Sequence, residues 1–212
     1  MRYLSLGDSI SIDDYTGVPA GGAASQFARL IKATDHDSRT RDGRTTSGVL
    51  EALQEPYDVP DVVTLTACGN DLLVALASIH GDWQKPIDEI FSRYDQILDQ
   101  LRRLSCPTII NTVYDPTDGK DDLAVLMGLP HPVRAPFDRV NDHIRSGAGG
   151  NLILSDLERL FAGHGYWSAD PWITGYIEPN YPGATAIARH WHSLFLDFRS
   201  ESAGFDASSL HF

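Results

Sequence analysis

The sequence predicts one α/β domain built on a parallel sheet. Three observations carry that expectation. Its 212 residues suit a single domain, and no repeat, low-complexity tract or long Pro/Gly/Ser linker divides them. Short apolar or β-branched runs alternate with amphipathic stretches, the pattern of a parallel sheet layered with helices. The runs are nearly continuous rather than alternating, as central strands covered on both faces require.

Taken in order, Tyr3-Leu4-Ser5-Leu6 is the first strand, ended by Gly7-Asp8-Ser9. Residues 22–32 and 46–54 are short helix candidates. Between them the topology needs a strand, yet Thr34 to Arg41 is wholly polar, so a weak edge strand is placed near Ser38–Arg41. Asp61 to Thr66 is the next strand and stops at Cys68-Gly69-Asn70-Asp71. Ile87, Ile90, Phe91, Tyr94, Ile97, Leu98, Leu101 and Leu104 make one apolar helical stripe. Thr108 to Val113 is a strand that runs into Asp115 and Asp118. Residues 115–134, rich in Gly, Pro and Asp, read as one long loop at its end. Asn151 to Leu154 is the last strand, and Ala184, Ile187, Ala188, Trp191, Leu194, Phe195 and Phe198 define a final helix.

Charge and composition narrow the function. Seventeen Lys and Arg against 29 Asp and Glu leave a net charge of −12, which argues against nucleic acid or an anionic membrane as partner. No apolar run reaches the ~18–20 residues of a membrane span. The N-terminus lacks the apolar core and cleavage site of a secretory signal, and Cys68 and Cys106 lie far apart. A cytoplasmic protein with two reduced thiols is the expectation.

In a parallel sheet the polar residues after the strands share one rim. Asp8 and Ser9, Asn70 and Asp71, and Asp115 and Asp118 would then face one another, a set suited to acyl transfer. Gly7-Asp8-Ser9-Ile10 resembles the first block of the SGNH (GDSL-type) hydrolases. Asp42-Gly43-Arg44-Thr45-Thr46 resembles their second block, and Gly69-Asn70-Asp71 after a strand resembles the third. Cys68 stands where that third block usually has its first glycine. The resemblance implies a three-layer α/β/α sandwich of flavodoxin-like arrangement, with about five parallel strands. It implies Ser9 as nucleophile, with the Ser9 and Gly43 amides and the Asn70 side chain as oxyanion donors. Three fixed donors around one developing charge are worth several kcal/mol, each about 3–4. Taken singly, Ser9 and Asn70 could cap helices and Gly43 could make a turn.

The last block departs from the family. Its usual D-x-x-H-P-N is here Gly175-Tyr176-Ile177-Glu178-Pro179-Asn180, so Glu178 occupies the histidine position and Gly175 the aspartate position. Three readings follow. Another histidine enters, His164 first and His131 second, with Glu178 orienting it. Glu178 itself takes the Ser9 proton, which needs burial to raise its pKa from ~4.3. Or the site only binds, giving a catalytically silent small-molecule or carbohydrate-binding domain. The first is preferred, because an imidazole is matched to neutral pH.

The leading function is therefore a serine hydrolase that cleaves a small-molecule carboxylic ester through an acyl-enzyme on Ser9. No cofactor or metal is implied. Asp13, Asp14, Asp115 and Asp118 match no cation-loop spacing and read as loop carboxylates. Arg39, Arg41 and Arg44 either attract an anionic group or offset local acidity. His36, His80, His190, His192 and His211 carry no catalytic context.

Overall fold

A computed structural model describes residues 1–77, 83–119, 123–129 and 133–208, with side chains to residue 201. Five parallel strands run in the order β2-β1-β3-β4-β5. They are β1 (Arg2–Gly7), β2 (Asp35–Thr40), β3 (Val62–Thr66), β4 (Thr108–Asn111) and β5 (Leu152–Ser155). The helices are α1 (Ala23–Leu30), α2 (Thr46–Gln54), α3 (Gly69–Leu76), α4 (Gln84–Arg103), α5 (Leu123–Leu126), α6 (Arg134–Ser146), α7 (Leu157–Leu160) and α8 (Tyr181–Ser208). A short antiparallel hairpin, β6 (Ile173–Thr174) with β7 (Glu178–Pro179), precedes α8.

The strands divide their side chains between two cores. Leu4, Leu6, Val63, Leu65 and Ile110 pack with residues of α2, α3, α4 and α6 on one face. Tyr3, Val62 and Ile109 pack with α1 and α8 on the other. The expected three-layer sandwich is what forms. The stripe of α4 is buried from Ile87 to Leu101, and Trp191 is fully buried on α8.

The polar edge strand exists and is longer than expected, paired in parallel register from Arg2↔Asp35 to Gly7↔Thr40. It tolerates polarity because only one of its edges is hydrogen-bonded within the sheet. Its inner side chains still find partners: His36 stacks on Tyr3 with centroids 4.5 Å apart and shares a 2.9 Å hydrogen bond with Ser5. Two expectations need correction. The loop after β4 is interrupted by α5, and β4 ends at Asn111 rather than Val113. Helix α6 falls where no helix was expected. Its apolar stripe is only Phe137, Val140 and Ile144, set among charges that mask the period.

The order places the switch point between β1 and β3, where the chain leaves to opposite sides and opens a crevice at the carboxyl ends. Gly7 closes β1 at φ +129°, and a Cβ there would lie 1.9 Å from the Thr66 carbonyl oxygen. Only glycine lets the chain turn so tightly against β3 and deliver residues 8 and 9 into the crevice.

Candidate active site

Ser9 begins a single 3-10 turn, Ser9–Ser11, capped by Asp8, whose Oδ1 accepts from the Ile10 amide at 3.2 Å. Ser9 is 6% exposed, and its hydroxyl donates to Oε1 of Glu178 at 3.1 Å. Glu178 reaches it from the first residue of β7. The hairpin turn before it holds Gly175 and Tyr176 both at positive φ, +55° and +79°. The carbonyl of neighbouring Ile177 accepts a hydrogen bond from the buried Tyr114 hydroxyl, and Tyr114 stacks on Phe161 at 4.1 Å. Asn180 then caps α8, its Oδ1 accepting from the Gly183 amide at 3.0 Å. The Pro-Asn register that resembles the family is thus structural, while the preceding Gly-Tyr-Ile-Glu segment aims a carboxylate at Ser9.

The electrostatics of this pair are unusual for a carboxylate. Burial pushes Glu178 up to about 7, against its Ser9 hydrogen bond, and the charges of Asp8 and Asp42 add to the rise. Asp8 is pushed to about 6, again chiefly by burial. Tyr15, with Asp42 and Glu178 near its hydroxyl, is raised to about 12, burial contributing most.

Asn70 lies on the first turn of α3 and lines the same cavity as Ser9. Its Nδ2 donates to the Arg44 carbonyl at 3.2 Å, which ties it to the 42–44 turn. Gly43 sits in that turn at φ +68° and is exposed, beside Asp42. Asp71 is occupied elsewhere, accepting from the amide and hydroxyl of Thr46 at 2.7 Å each and so fixing the start of α2. Cys68, just before α3, holds φ +80°, a conformation that favours the glycine usual at this point.

His164 is not brought to Ser9. Its Nδ1 lies 2.9 Å from the Asp170 carbonyl oxygen, its ring stacks on Trp172 at 3.6 Å, and it does not line the Ser9 cavity. The short segment after α7 folds back on itself rather than over the crevice. His131 lies outside the described residues, as do His80 and His211. His190 and His192 lie on α8, and His36 is taken up by Tyr3 and Ser5. Among the described residues, the Ser9 hydroxyl meets the Glu178 carboxylate rather than an imidazole.

The other candidates resolve into structure. Asp115 accepts from the Thr117 and Gly119 amides and pairs with Arg134 at 3.2 Å. Asp118 accepts from the Gly163 and Gly165 amides at 3.0 Å each, and Asp13 from the Gly22 amide at 2.7 Å. Among the described residues no cluster of His, Cys, Asp or Glu is arranged to hold a metal ion. Arg39 spends its guanidinium on the carbonyls of Ala52, Glu55 and Pro56 and on Asp37. Both cysteines are free and buried.

Sequence reading missed the walls of the site. Beyond Ser9 opens a cavity of about 50 Å³, lined mainly by apolar residues that include Leu72 and Leu73 of α3, Val113, Leu123, Phe137 and Ile177. They come from five separate segments, and no local pattern links them. Among the described residues, no helix is long and apolar enough to cross a membrane.

Comparison with known proteins agrees with this fold. A spore germination lipase, LipC, of Bacillus licheniformis is 30% identical over 86 residues, a match that spans 36% of this chain and only 41% of that relative. Solved structures share the fold over nearly their whole length. The acetyl xylan esterase AlAXEase has a TM-score of 0.67 at 18% identity, covering 91% of this chain and 98% of its own. Phospholipase A1 of Streptomyces albidoflavus gives 0.66 at 19%, with the same coverage. A catalytic mutant of Axe2, an acetylxylan esterase of Geobacillus stearothermophilus, gives 0.71 at 15%, covering 92% and 93%. Residues 5–186 match the GDSL-like lipase/acylhydrolase family, and the chain belongs to it.

Proposed function

We propose that the protein is an esterase in which Ser9 is the nucleophile and Glu178 its proton acceptor. The observation that carries this reading is the 3.1 Å hydrogen bond from the Ser9 hydroxyl to a buried carboxylate poised near neutrality. An ordinary Glu is too weak a base for a serine, and burial supplies the missing basicity.

Ser9 Oγ bonds to the ester carbonyl carbon as Glu178 takes its proton. The tetrahedral oxyanion is met by the Ser9 and Gly43 amides and the Asn70 side chain. The carbon–alkoxide bond then breaks, Glu178 returns the proton to the leaving oxygen, and the alcohol departs. Water attacks the acyl-enzyme, giving its proton to Glu178, and Ser9 leaves with that proton restored. The same carboxyl serves both halves, as microscopic reversibility requires.

The cavity of about 50 Å³ has room for a few water-sized groups, and its apolar walls suit a short, uncharged acyl chain. The net charge of −12 disfavours nucleic acid and anionic substrates. Two unpaired thiols fit a reducing, cytoplasmic setting. The test is hydrolysis of short-chain esters together with labelling of Ser9 by a fluorophosphonate. Wild type should do both and Glu178→Gln neither at an appreciable rate. Rapid labelling of Glu178→Gln would mean another base, and a wild type that neither labels nor hydrolyses would be a binding domain.

A further inference from the structure

Glu178 is carried to Ser9 by a hairpin too small to fix it alone. Strands β6 and β7 pair only at Ile173↔Pro179 and Thr174↔Glu178. Two residues a side give little rigidity in water. The turn between them holds Tyr176 at φ +79°, an outlier for a bulky side chain, and keeps that shape only where its surroundings impose it. At the base of the hairpin the Asn180 amide donates to the Trp172 carbonyl at 2.9 Å, and Asn180 Nδ2 to the Pro171 carbonyl at 2.7 Å. Beside the carboxylate the hold is Tyr114, whose hydroxyl donates to the Ile177 carbonyl.

Tyr114 is itself firmly placed. It is 4% exposed, follows β4 by three residues and lines the Ser9 cavity. Its ring stacks on Phe161 at 4.1 Å, and Phe161 meets Trp172, the residue before β6, edge-on at 5.5 Å. One aromatic chain thus grips the hairpin at both ends. Burial holds the Tyr114 phenol well above its ordinary range, with the charges of Glu178 and Asp8 adding, so it stays a donor at any physiological pH.

We infer that Tyr114 is a positioning residue for Glu178, the third member of a Ser9–Glu178–Tyr114 set. The inference rests on the esterase reading above and adds to it what aims the base. A nucleophile and its base need a third group that holds the base in line. Here that group acts through the backbone, anchoring the peptide unit that joins Ile177 to Glu178. A shift of this unit would swing Oε1 away from Ser9 and let water reach the carboxylate. Among the described residues the titratable groups facing Glu178 are Asp8, Asp42, Tyr15 and Tyr114, with no cation to aim it.

Tyr114→Phe removes one hydroxyl and keeps the ring stack. On a short ester at pH 8, kcat should fall about tenfold while KM holds within about twofold. The acidic limb of kcat/KM should move down by about one pH unit, because a loosened turn hydrates Glu178 and burial is the main source of its basicity. A purely structural tyrosine would lower Tm and leave the limb in place. A limb that stays, or moves up, overturns the proposal whatever kcat does. Infrared titration of the Glu178 carboxyl, identified by its absence in Glu178→Gln, judges the anchor apart from hydrolysis. If wild type cleaves no ester, the esterase reading falls, and a titration that Tyr114→Phe leaves unchanged removes Tyr114 as well. A titration that the substitution lowers keeps Tyr114 as the residue that positions Glu178.

Discussion

Two groups of carboxylates sit at the carboxyl ends of the same sheet, and they are treated in opposite ways. After β5, Asp156 and Glu158 meet Arg145, whose Nη2 lies 2.6 Å from Glu158 and whose Nε lies 3.2 Å from Asp156. Arg134 adds a 2.6 Å contact to Glu158. Burial works against both carboxylates, yet the arginine hydrogen bonds hold them below their ordinary range. By contrast, Asp8 and Glu178 are buried among hydroxyls and amides with other carboxylates near them, Asp71 beside Asp8 and Asp8 with Asp42 beside Glu178, and both rise. One group is ionised at any physiological pH and ties loops together. The other is kept near the point where a proton can be taken and given back. The difference lies in what surrounds each carboxylate, since the residue types are the same.

The largest effect should come from the pair at Ser9. Ser9→Ala and Glu178→Gln should each reduce kcat by about 10⁴-fold or more, and the double variant should be little worse than either. Glu178→Gln keeps an oxygen able to accept from Ser9, so its loss isolates the base. With Glu178 at about 7, kcat/KM should fall as pH drops through that region, because the base must be ionised. His164→Ala should be close to wild type. A severe His164→Ala with a mild Glu178→Gln would remove the carboxylate from the mechanism.

Asn70→Ala comes next, lowering kcat by about 10²–10³ with KM nearly unchanged, since the amide matters once charge develops on oxygen. Steady-state kinetics on a short ester decide it. A rise in KM alone would make Asn70 a ground-state contact.

Most of this arrangement was legible in the sequence. The switch-point position of Ser9 followed from a strand ending at Gly7, and Asn70 from another ending before Gly69. The substitution at 178 was visible as a departure from the family's last block. What Glu178 does was not, because basicity depends on burial and on Asp8 and Asp42, which approach through space. His164 was the preferred base, yet its stacking on Trp172 depends on how residues 164–172 fold back, which no periodicity encodes. The cavity walls were hidden for a similar reason. Helix α6 contributes Phe137 from a segment whose charged residues, now seen in ion pairs, obscured its stripe.

The contrast also predicts opposite stability profiles. Glu178 ordinarily titrates near 4.5 and near 7 when folded, so between those values the folded state binds the extra proton. Stability should fall as pH rises through this window, and removing the group should restore it. Glu178→Gln should therefore be more stable than wild type at pH 8, by about 2 kcal/mol after allowing for partial solvation, or about 4–8 °C in Tm. Near pH 4 the gain should vanish. Thermal melts at the two pH values check it, and an equal gain at both would mean that shape rather than charge is responsible.

The smallest effect belongs to the paired group and has the reverse sign. Arg145→Leu leaves Asp156 without its guanidinium partner and Glu158 with Arg134 and the Asn141 amide. Arg145 is 30% exposed, which places the pair between a surface bridge and a buried one, so the cost at pH 7 should be about 1 kcal/mol, or 2–4 °C in Tm. Because the pairing lowers the pKa values of both carboxylates, its contribution is complete above about pH 4–5 and is lost as pH falls and they protonate. Wild type and Arg145→Leu should thus converge in acid once both carboxylates are protonated, whereas wild type and Glu178→Gln diverge above pH 7. Hydrolysis of short esters should survive Arg145→Leu, since Arg145 lines no part of the Ser9 cavity. A cost that stays flat to pH 2 would assign Arg145 to packing of its aliphatic stem. The contrast between the two carboxylate groups would then rest on the Ser9 side alone.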